Sequence, residues 1–173
     1  KEDTTEVIET IDIYKDLDGL TVHNLNPVSL GRKEPSFTPC TVAACLYILK
    51  EHKVGVAGKK VCVIGKSVSV GLPLAKALSA MGAIVTSCDR STRDLAGVVS
   101  ELFEKLYRDI NGVFIVEEIV ISAAGSQGLV KGEWLMKGCV AIDVGITRII
   151  VNDKPKVVGD FVYETVFHSS TLN

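Results

Sequence analysis

The chain has 173 residues, of which 47% are hydrophobic and 23% are charged, and its formal net charge is −2. A chain of this length and composition can bury a full hydrophobic core, and it predicts one main domain. The charge provides no broad basic field, so nucleic acid is not expected as a partner.

The five cysteines indicate free thiols rather than a disulfide framework. None of them forms a C-x-x-C pair, and Cys62 and Cys88 each lie within an apolar strand pattern, as buried thiols do. We therefore expect a reducing intracellular compartment. We also expect no metal site, and a cytoplasmic location rather than a mitochondrial or plastid one. No apolar run approaches the roughly 18–20 residues that span a membrane, so no membrane association is expected. Because the chain begins at Lys1 rather than Met, we expect the natural N-terminus and any targeting segment to be missing.

The first predicted elements precede residue 60. Residues 4–13 predict a short strand or a helix end, which leads into the loop Y-K-D-L-D-G-L, and an irregular stretch with several Asn, Pro and Gly residues follows. A helix is then predicted from the P-C-T segment, with Thr41 as its N-cap and its end near Gly55. Its apolar stripe has the helical spacing i, i+3, i+4, i+7, at Val42, Cys45, Leu46 and Leu49.

From residue 60 onward, predicted strands alternate with predicted helices. Strands are expected at 60–64, 83–88, 119–123, 140–144 and 149–151. Helices are expected at 71–81, 95–107 and 163–168. The first strand is a continuous β-branched run, which is typical of a strand buried on both faces of a parallel sheet. The alternation predicts an α/β fold with a doubly wound, mostly parallel sheet.

Residues 61–92 follow the order strand, turn, helix, strand of a dinucleotide-binding unit: VCVIGKSVSVGLPLAKALSAMGAIVTSCDRST. Gly65, Ser67 and Gly71 fill the three small-residue positions, which permit a sharp bend, a close approach to a pyrophosphate and tight helix–strand packing. Unpaired amides at the helix N-terminus and the Ser67 hydroxyl could then bind the phosphates. The alternative is an ordinary strand-to-helix turn that binds no nucleotide.

The charges beside this turn leave the choice of cofactor open. Asp89 lies 24 positions after Gly65, at the end of the next predicted strand. A carboxylate there can accept hydrogen bonds from the ribose hydroxyls of NAD and would repel the 2′-phosphate of NADP. Arg90 and Lys66 could each pair with that phosphate. A solvated rim is the alternative role for all three charges.

Six segments taken together resemble the methylenetetrahydrofolate dehydrogenase/cyclohydrolase family. They are YKDLDGL, FTPCT, GKSVSVGLP, VTSCDRST, VISAAGSQGLVKGEWLMKGCVAIDVGI and KVVGDF. The matches run in register from residue 11 to residue 161, and the patterns K-D-x-D-G and V-K-G-x-W followed by I-D-V-G-I are specific ones.

The resemblance implies a two-domain enzyme with a folate cleft between an N-terminal catalytic domain and a C-terminal Rossmann-type domain. Residues 1–38 would be the tail end of the first domain, and residues 39–173 the NAD(P)-binding domain. The enzyme would oxidise 5,10-methylenetetrahydrofolate to 5,10-methenyltetrahydrofolate and open the product to 10-formyltetrahydrofolate. A homodimer is implied by the resemblance alone.

Matched motifs assign roles to particular residues. Asp18, the second carboxylate of K-D-x-D-G, would anchor the pterin of tetrahydrofolate, because an ionised carboxylate accepts hydrogen bonds from the adjacent N–H donors of a pterin edge. An aspartate that only shapes the turn before Gly19 is the alternative. Ile146 would meet the nicotinamide through its backbone. Lys66 and Arg90 match the family positions that face the 2′-phosphate, so NADP is the expected cofactor and NAD the alternative.

The chain also departs from the family. It has no Y-x-x-x-K, the motif of the family's catalytic lysine, and no P-V-P-G-G-V-G-P stretch. It is therefore either a piece of a full enzyme or a non-catalytic nucleotide- or folate-binding module. A shikimate- or amino-acid-type dehydrogenase is a third possibility, which the K-D-x-D-G and P-C-T segments disfavour. Within the matched region Lys66 replaces an arginine, Asp89 replaces a histidine, and extra residues lie between Thr92 and Ile119.

Overall fold

The computed structural model describes residues 4–25, 37–88 and 118–166. Its helices are α1 (Thr4–Ile8), α2 (Val22–Leu25), α3 (Cys40–Glu51), α4 (Gly71–Ala80) and α5 (Tyr163–Val166). Its strands are β1 (Lys60–Ile64), β2 (Ile84–Cys88), β3 (Ile119–Ser122), β4 (Val140–Asp143), β5 (Thr147–Val151) and β6 (Lys154–Val158), and a 3₁₀ turn covers Gly132–Trp134. None of the helices in these ranges is long and apolar enough to cross a membrane.

Four strands form a parallel sheet in the order β2-β1-β3-β4. The chain leaves β1 for β2 on one side and later returns to β3 on the other side, so the direction of winding reverses between β1 and β3. In open α/β sheets ligands bind outside the carboxyl ends of the strands at such a reversal. The predicted α/β class and its mostly parallel sheet are confirmed.

The sheet is covered on both faces, which explains the continuous apolar run of β1. Val61 and Val63 point into a larger core cluster that includes side chains from α3 and α4. Cys62 and Ile64 point into a smaller cluster on the opposite face. Since successive side chains of a strand alternate between faces, a strand buried on both sides has no polar face.

Helix α3 forms where predicted but has different ends. Its N-cap is Pro39, no side chain caps it, and the Pro39 carbonyl accepts a hydrogen bond from the Ala43 amide at 2.9 Å. Thr41 lies inside the first turn, so its assignment as N-cap is wrong. The helix ends at Glu51 rather than near Gly55. The predicted stripe is confirmed, since three of its side chains are buried: Val42, Cys45 and Leu49.

Beyond β4 the chain builds an antiparallel hairpin instead of a further parallel strand. β5 pairs with β6 from Thr147↔Val158 to Val151↔Lys154. Asn152 and Asp153 make the turn with φ values of 50° and 60°, in the left-handed region that these residue types tolerate. The sequence pattern missed β6 because Pro155 lies inside it, and proline is tolerated in a strand only at such an edge.

Of the two alternatives predicted for residues 4–13, a strand or a helix end, the structure has a helix, α1, followed by a turn. The helix predicted at 95–107, the extra residues before Ile119 and the last two residues of the predicted helix 163–168 lie outside the described residues.

Candidate functional site

Loops from neighbouring parallel strands share one edge of the sheet. Residues 65–70 follow β1, residues 123–126 follow β3, and residues 144–146 follow β4. Parallel strands present their carboxyl ends at the same edge, so these loops border one surface at the point where the winding reverses.

Gly65 makes the sharp bend at the end of β1. Its φ is 110°, a conformation that residues with a side chain rarely adopt, and a Cβ there would lie 2.5 Å from the Ala123 carbonyl oxygen. Its amide donates to the carbonyl oxygen of Cys88 at 2.7 Å. The turn is thus tied to the ends of both neighbouring strands, β2 and β3.

Gly71 closes the other side of the turn. A Cβ on Gly71 would overlap the carbonyl oxygen of Gly65, so the first residue of α4 packs directly on the bend. Only glycine permits this approach, which is the helix–strand packing role of the last glycine in a dinucleotide turn.

Ser67 organises the start of α4. Its hydroxyl oxygen accepts hydrogen bonds from the amides of Val70 at 3.2 Å and Gly71 at 3.3 Å, and its carbonyl accepts from the Leu72 amide at 3.0 Å. These amides are therefore not open to a ligand, contrary to the expectation for this helix end. Within the described residues, the amides of Val68 and Ser69 donate no hydrogen bond, so the loop before the helix provides the available donors.

Asp160 is a buried carboxylate that fixes the loop after β3. It is 0% exposed. Its Oδ2 accepts hydrogen bonds from the Ser122 hydroxyl at 2.7 Å, the Ala124 amide at 2.7 Å and the Gly125 amide at 3.3 Å. Its Oδ1 accepts from the Ser126 amide at 2.7 Å. This one side chain thus holds the loop 123–126 beside the Gly65 bend.

Asp143 fixes the loop after β4 by accepting hydrogen bonds from backbone amides. Its Oδ1 accepts from the amides of Gly145 and Asp160, both at 3.0 Å, and its Oδ2 accepts from the Phe161 amide at 3.0 Å. Ile146 follows Gly145 in the chain, and it is 72% exposed at the carboxyl edge of the sheet. Asp143 and Asp160 therefore connect β4 to the segment after β6 and fix the loop that presents Ile146.

The K-D-x-D-G turn contains two carboxylates with different roles. Asp16 is 3% exposed, and it accepts hydrogen bonds from the Leu20 amide at 3.0 Å, the Thr21 amide at 2.8 Å and the Asn24 side-chain amide at 2.8 Å. Asp18 is exposed, and its carboxylate accepts no hydrogen bond within the described part of the chain. Asp16 builds the turn, and Asp18 is the carboxylate available to a ligand.

This turn lies against the start of α3. A Cβ on Gly19, whose φ is 65°, would overlap the Phe37 carbonyl oxygen and lie 3.0 Å from the Pro39 nitrogen. Residues 52–59 lead back from α3 into β1, and both elements pack in the larger core cluster. The N-terminus of α3, with the turn beside it, therefore points toward the carboxyl edge of the sheet.

Hydrogen bonding lowers the pKa of Asp16 from 3.8 to about 2: burial alone would raise it, but the bonds from Asn24, Thr21 and Leu20 outweigh that effect. A carboxylate whose pKa is lowered by folding stabilises the folded protein at pH values above its unfolded pKa of 3.8. This contribution of about 2 kcal/mol is lost as the pH falls toward 2.

We expect Asp16→Asn to lower the free energy of unfolding at neutral pH by about 2 kcal/mol and to remove this acid dependence. Urea denaturation at neutral pH and near pH 3 measures both effects.

Asp18→Asn is the matched control for this prediction, because its carboxylate has no partner within the described residues. It should leave the free energy of unfolding within about 0.5 kcal/mol of the original value. Equal destabilisation by the two substitutions would contradict the division of roles.

The predicted site residues are only partly visible in the structure. Gly65, Ser67, Gly71 and the exposed Lys66 form one turn, and Ile146 lies at the same edge of the sheet. Asp89 and Arg90 lie outside the described residues, directly after Cys88 at the carboxyl end of β2. Among residues 4–25, 37–88 and 118–166, no three His, Cys, Asp or Glu side chains come together as metal ligands would.

Sequence reasoning missed the carboxylates that fix this edge: Asp16, Asp143 and Asp160. Each follows or opens a turn motif that was quoted for the resemblance, but the motif alone does not distinguish a carboxylate that binds a ligand from one that binds backbone amides. For Asp160 the weak signal was the small residues of the A-A-G-S segment 123–126, whose amides can approach a carboxylate closely.

Comparison with known proteins gives a consistent result. Residues 39–172 match the family model described as tetrahydrofolate dehydrogenase/cyclohydrolase, NAD(P)-binding domain. A bifunctional protein FolD from Sphingobium chlorophenolicum is 37% identical over 98% of this chain and 49% of its own length. One from Dichelobacter nodosus is 40% identical over 92% of this chain and 49% of its own length. The chain thus spans about half the length of the curated relatives it matches.

Two solved structures that are similar to this chain belong to the same family as these sequence relatives. The chain is similar to the Trypanosoma brucei N5,N10-methylenetetrahydrofolate dehydrogenase-cyclohydrolase, solved with NADP and an inhibitor, with a TM-score of 0.82 and 30% identity over 97% of this chain and 53% of that one. The bifunctional enzyme FolD from Campylobacter jejuni gives a TM-score of 0.78 and 28% identity over the same shares of the two chains.

Proposed function

The chain belongs to the tetrahydrofolate dehydrogenase/cyclohydrolase family, and from this premise we propose that the protein containing it oxidises 5,10-methylenetetrahydrofolate to 5,10-methenyltetrahydrofolate with NADP. Methenyltetrahydrofolate cyclohydrolase activity would belong to the same complete protein. In this proposal residues 1–38 are the tail of the folate-binding domain and residues 39–173 form the dinucleotide-binding domain.

The observation that supports this function best is the fit of the β1 turn to a dinucleotide. Gly65 bends the chain where only glycine is tolerated, Gly71 packs on that bend, and both lie at the winding reversal of a parallel sheet. The amides of Val68 and Ser69 supply donors that a pyrophosphate can accept from. When bound, the cofactor supplies the nicotinamide ring that receives the hydride, and Ile146 at the same edge is the residue proposed to meet that ring.

NADP is proposed over NAD because of two cations. Lys66 is exposed in the turn itself, and Arg90 follows the carboxyl end of β2. Cations at these two places can pair with a 2′-phosphate, whereas Asp89 beside Arg90 favours the ribose hydroxyls of NAD. The T. brucei relative was solved with NADP, which supports the same choice.

For the folate side we propose Asp18 as the pterin anchor. It is the exposed carboxylate of its turn, whereas Asp16 accepts hydrogen bonds from two backbone amides and the Asn24 side chain. An acceptor-only carboxylate can receive two adjacent N–H donors from a pterin edge. Homodimer formation and a cytoplasmic location are proposed on family membership alone.

The function is tested on the complete natural protein by following NADPH formation from methylenetetrahydrofolate, with NAD as the alternative acceptor. We expect faster turnover with NADP, and we expect Arg90→Ala to raise the KM for NADP roughly tenfold without affecting NAD, since a charge-assisted hydrogen bond is lost. Lys50→Ala is the matched control, because this exposed cation lies in the last turn of α3.

Three outcomes would contradict parts of the proposal. Preference for NAD that Arg90→Ala leaves unchanged would assign the choice to Asp89. Dinucleotide binding without turnover in the complete protein would identify a non-catalytic binding module, the possibility raised by the missing Y-x-x-x-K motif. Turnover of another substrate class in a panel assay would identify a different dehydrogenase.

A further inference from the structure

Two thiols meet directly beneath the β1 turn. Cys62 on β1 is 4% exposed and Cys88 at the end of β2 is 1% exposed, and their Sγ atoms lie 3.9 Å apart. Both side chains belong to the smaller core cluster, on the same face of the sheet. Cys45, by contrast, packs in the larger cluster on the opposite face.

The strand register places these thiols diagonally across two neighbouring strands. Cys62 is opposite Thr86, and Cys88 is opposite Ile64. A disulfide bond is about 2.05 Å long, so the sulfur atoms must approach by about 2 Å. Diagonal neighbours on adjacent strands lie about 7–8 Å apart, whereas the Cα atoms of a disulfide are usually about 4.4–6.8 Å apart, so the bond requires β2 to move as well as rotation about the Cα–Cβ bonds. Among the described strands β2 pairs only with β1.

We propose that Cys62 and Cys88 are an oxidisable pair whose disulfide weakens dinucleotide binding at the adjacent turn. The effect on dinucleotide binding rests on the proposed function, whereas formation of the disulfide does not. The oxidant would be a peroxide, which is small enough to reach a buried thiol during local opening. One thiolate attacks a peroxide oxygen, the O–O bond breaks, and a sulfenic acid and the first water form once the departing oxygen is protonated. The second thiolate then attacks the sulfenic sulfur, the S–O bond breaks, and the departing hydroxide takes up a proton to form the second water. Two thiols lose two hydrogens in total, and the peroxide is reduced to two waters.

The position of Cys88 couples this chemistry to the turn. Its carbonyl oxygen accepts the 2.7 Å hydrogen bond from the Gly65 amide, and its neighbours in sequence are Asp89 and Arg90, the residues proposed to select the cofactor. Drawing Cys88 toward Cys62 moves the end of β2 relative to the bend in β1. Because coupling between two events is reciprocal, a bound dinucleotide should in turn slow formation of the disulfide.

The test treats the complete protein with hydrogen peroxide, with and without NADP, then blocks remaining thiols and maps the peptides by mass spectrometry. We expect a linked peptide pair containing Cys62 and Cys88, about 2 Da lighter than the reduced pair, and slower linkage when NADP is present. Calorimetric titration should show about a tenfold loss of NADP affinity after oxidation, restored by a thiol reductant.

Variants separate this proposal from simple core packing. Cys88→Ala and the strand-compatible Cys62→Val should each abolish the link and keep NADP affinity unchanged by peroxide, whereas Cys45→Ala should behave as the original protein does. Failure of the link to form in the original protein would overturn the proposal, and a link without any change in NADP affinity would overturn the coupling. If the reduced protein binds no dinucleotide, the proposed function fails, and the peptide map still decides whether the pair is oxidisable.

Discussion

Asp160→Ala is expected to lower the free energy of unfolding by about 3–5 kcal/mol. The carboxylate is 0% exposed and accepts from one hydroxyl and three backbone amides. Alanine would remove the acceptor of the buried Ser122 hydroxyl and of the part-buried Ala124 and Ser126 amides, and each donor that water cannot satisfy costs about 1–3 kcal/mol. Urea denaturation measures the effect through the midpoint and slope of the transition.

A milder variant and a distant control make this prediction decisive. Asp160→Asn keeps the shape and one acceptor oxygen but turns an NH₂ group toward amide donors, so we expect an intermediate loss of stability. Glu51→Ala removes an exposed carboxylate at the end of α3 and should change stability by no more than about 0.5 kcal/mol. If Asp160→Ala unfolds at the same urea concentration as the original chain, the loop after β3 is fixed by other contacts.

The parallel core could be predicted from local sequence because its physical cause is local. In β1, adjacent residues such as Val61 and Cys62 enter different core clusters, so burial on both faces appears directly as an unbroken apolar run. The turn between Gly65 and Gly71 could also be predicted from local sequence. A bend at Gly65 and a helix packed on it at Gly71 both require the absence of a side chain, and glycine at that spacing records the requirement.

The roles of the acidic residues could not be predicted, because their causes are distant in sequence. Asp160 accepts from amides that lie 34 to 36 positions away, and nothing in the residues beside it distinguishes it from a surface aspartate. Asp16 and Asp18 share one motif and differ only in the direction each faces after the chain turns. The N-cap of α3 was misassigned for a related reason: the rule that favours Thr41 describes a side-chain hydrogen bond, and Pro39 begins this helix without one.

Gly71→Ala is expected to disrupt the dinucleotide turn itself. The added methyl group would overlap the Gly65 carbonyl oxygen, and neither atom can move freely, since both belong to backbone that is tied to the ends of β1 and α4. We expect at least a tenfold loss of NADP affinity and a loss of about 1–3 kcal/mol in the free energy of unfolding, as found when a packed interior is forced to accept extra volume. Calorimetric titration with NADP and urea denaturation of the same preparations measure the two effects.

Gly55→Ala is the matched control, because a Cβ there meets no atom within 4 Å and the backbone is outside the left-handed region. It should preserve NADP affinity and leave stability unchanged or raise it slightly, since alanine restricts the unfolded chain more than glycine does. The comparison separates a general cost of adding a side chain from a specific requirement at the turn. Wild-type NADP affinity in Gly71→Ala would show that the pyrophosphate is bound elsewhere, even if the protein were less stable. Loss of affinity together with full stability would show that the contact between Gly71 and Gly65 shapes the ligand surface without supporting the fold.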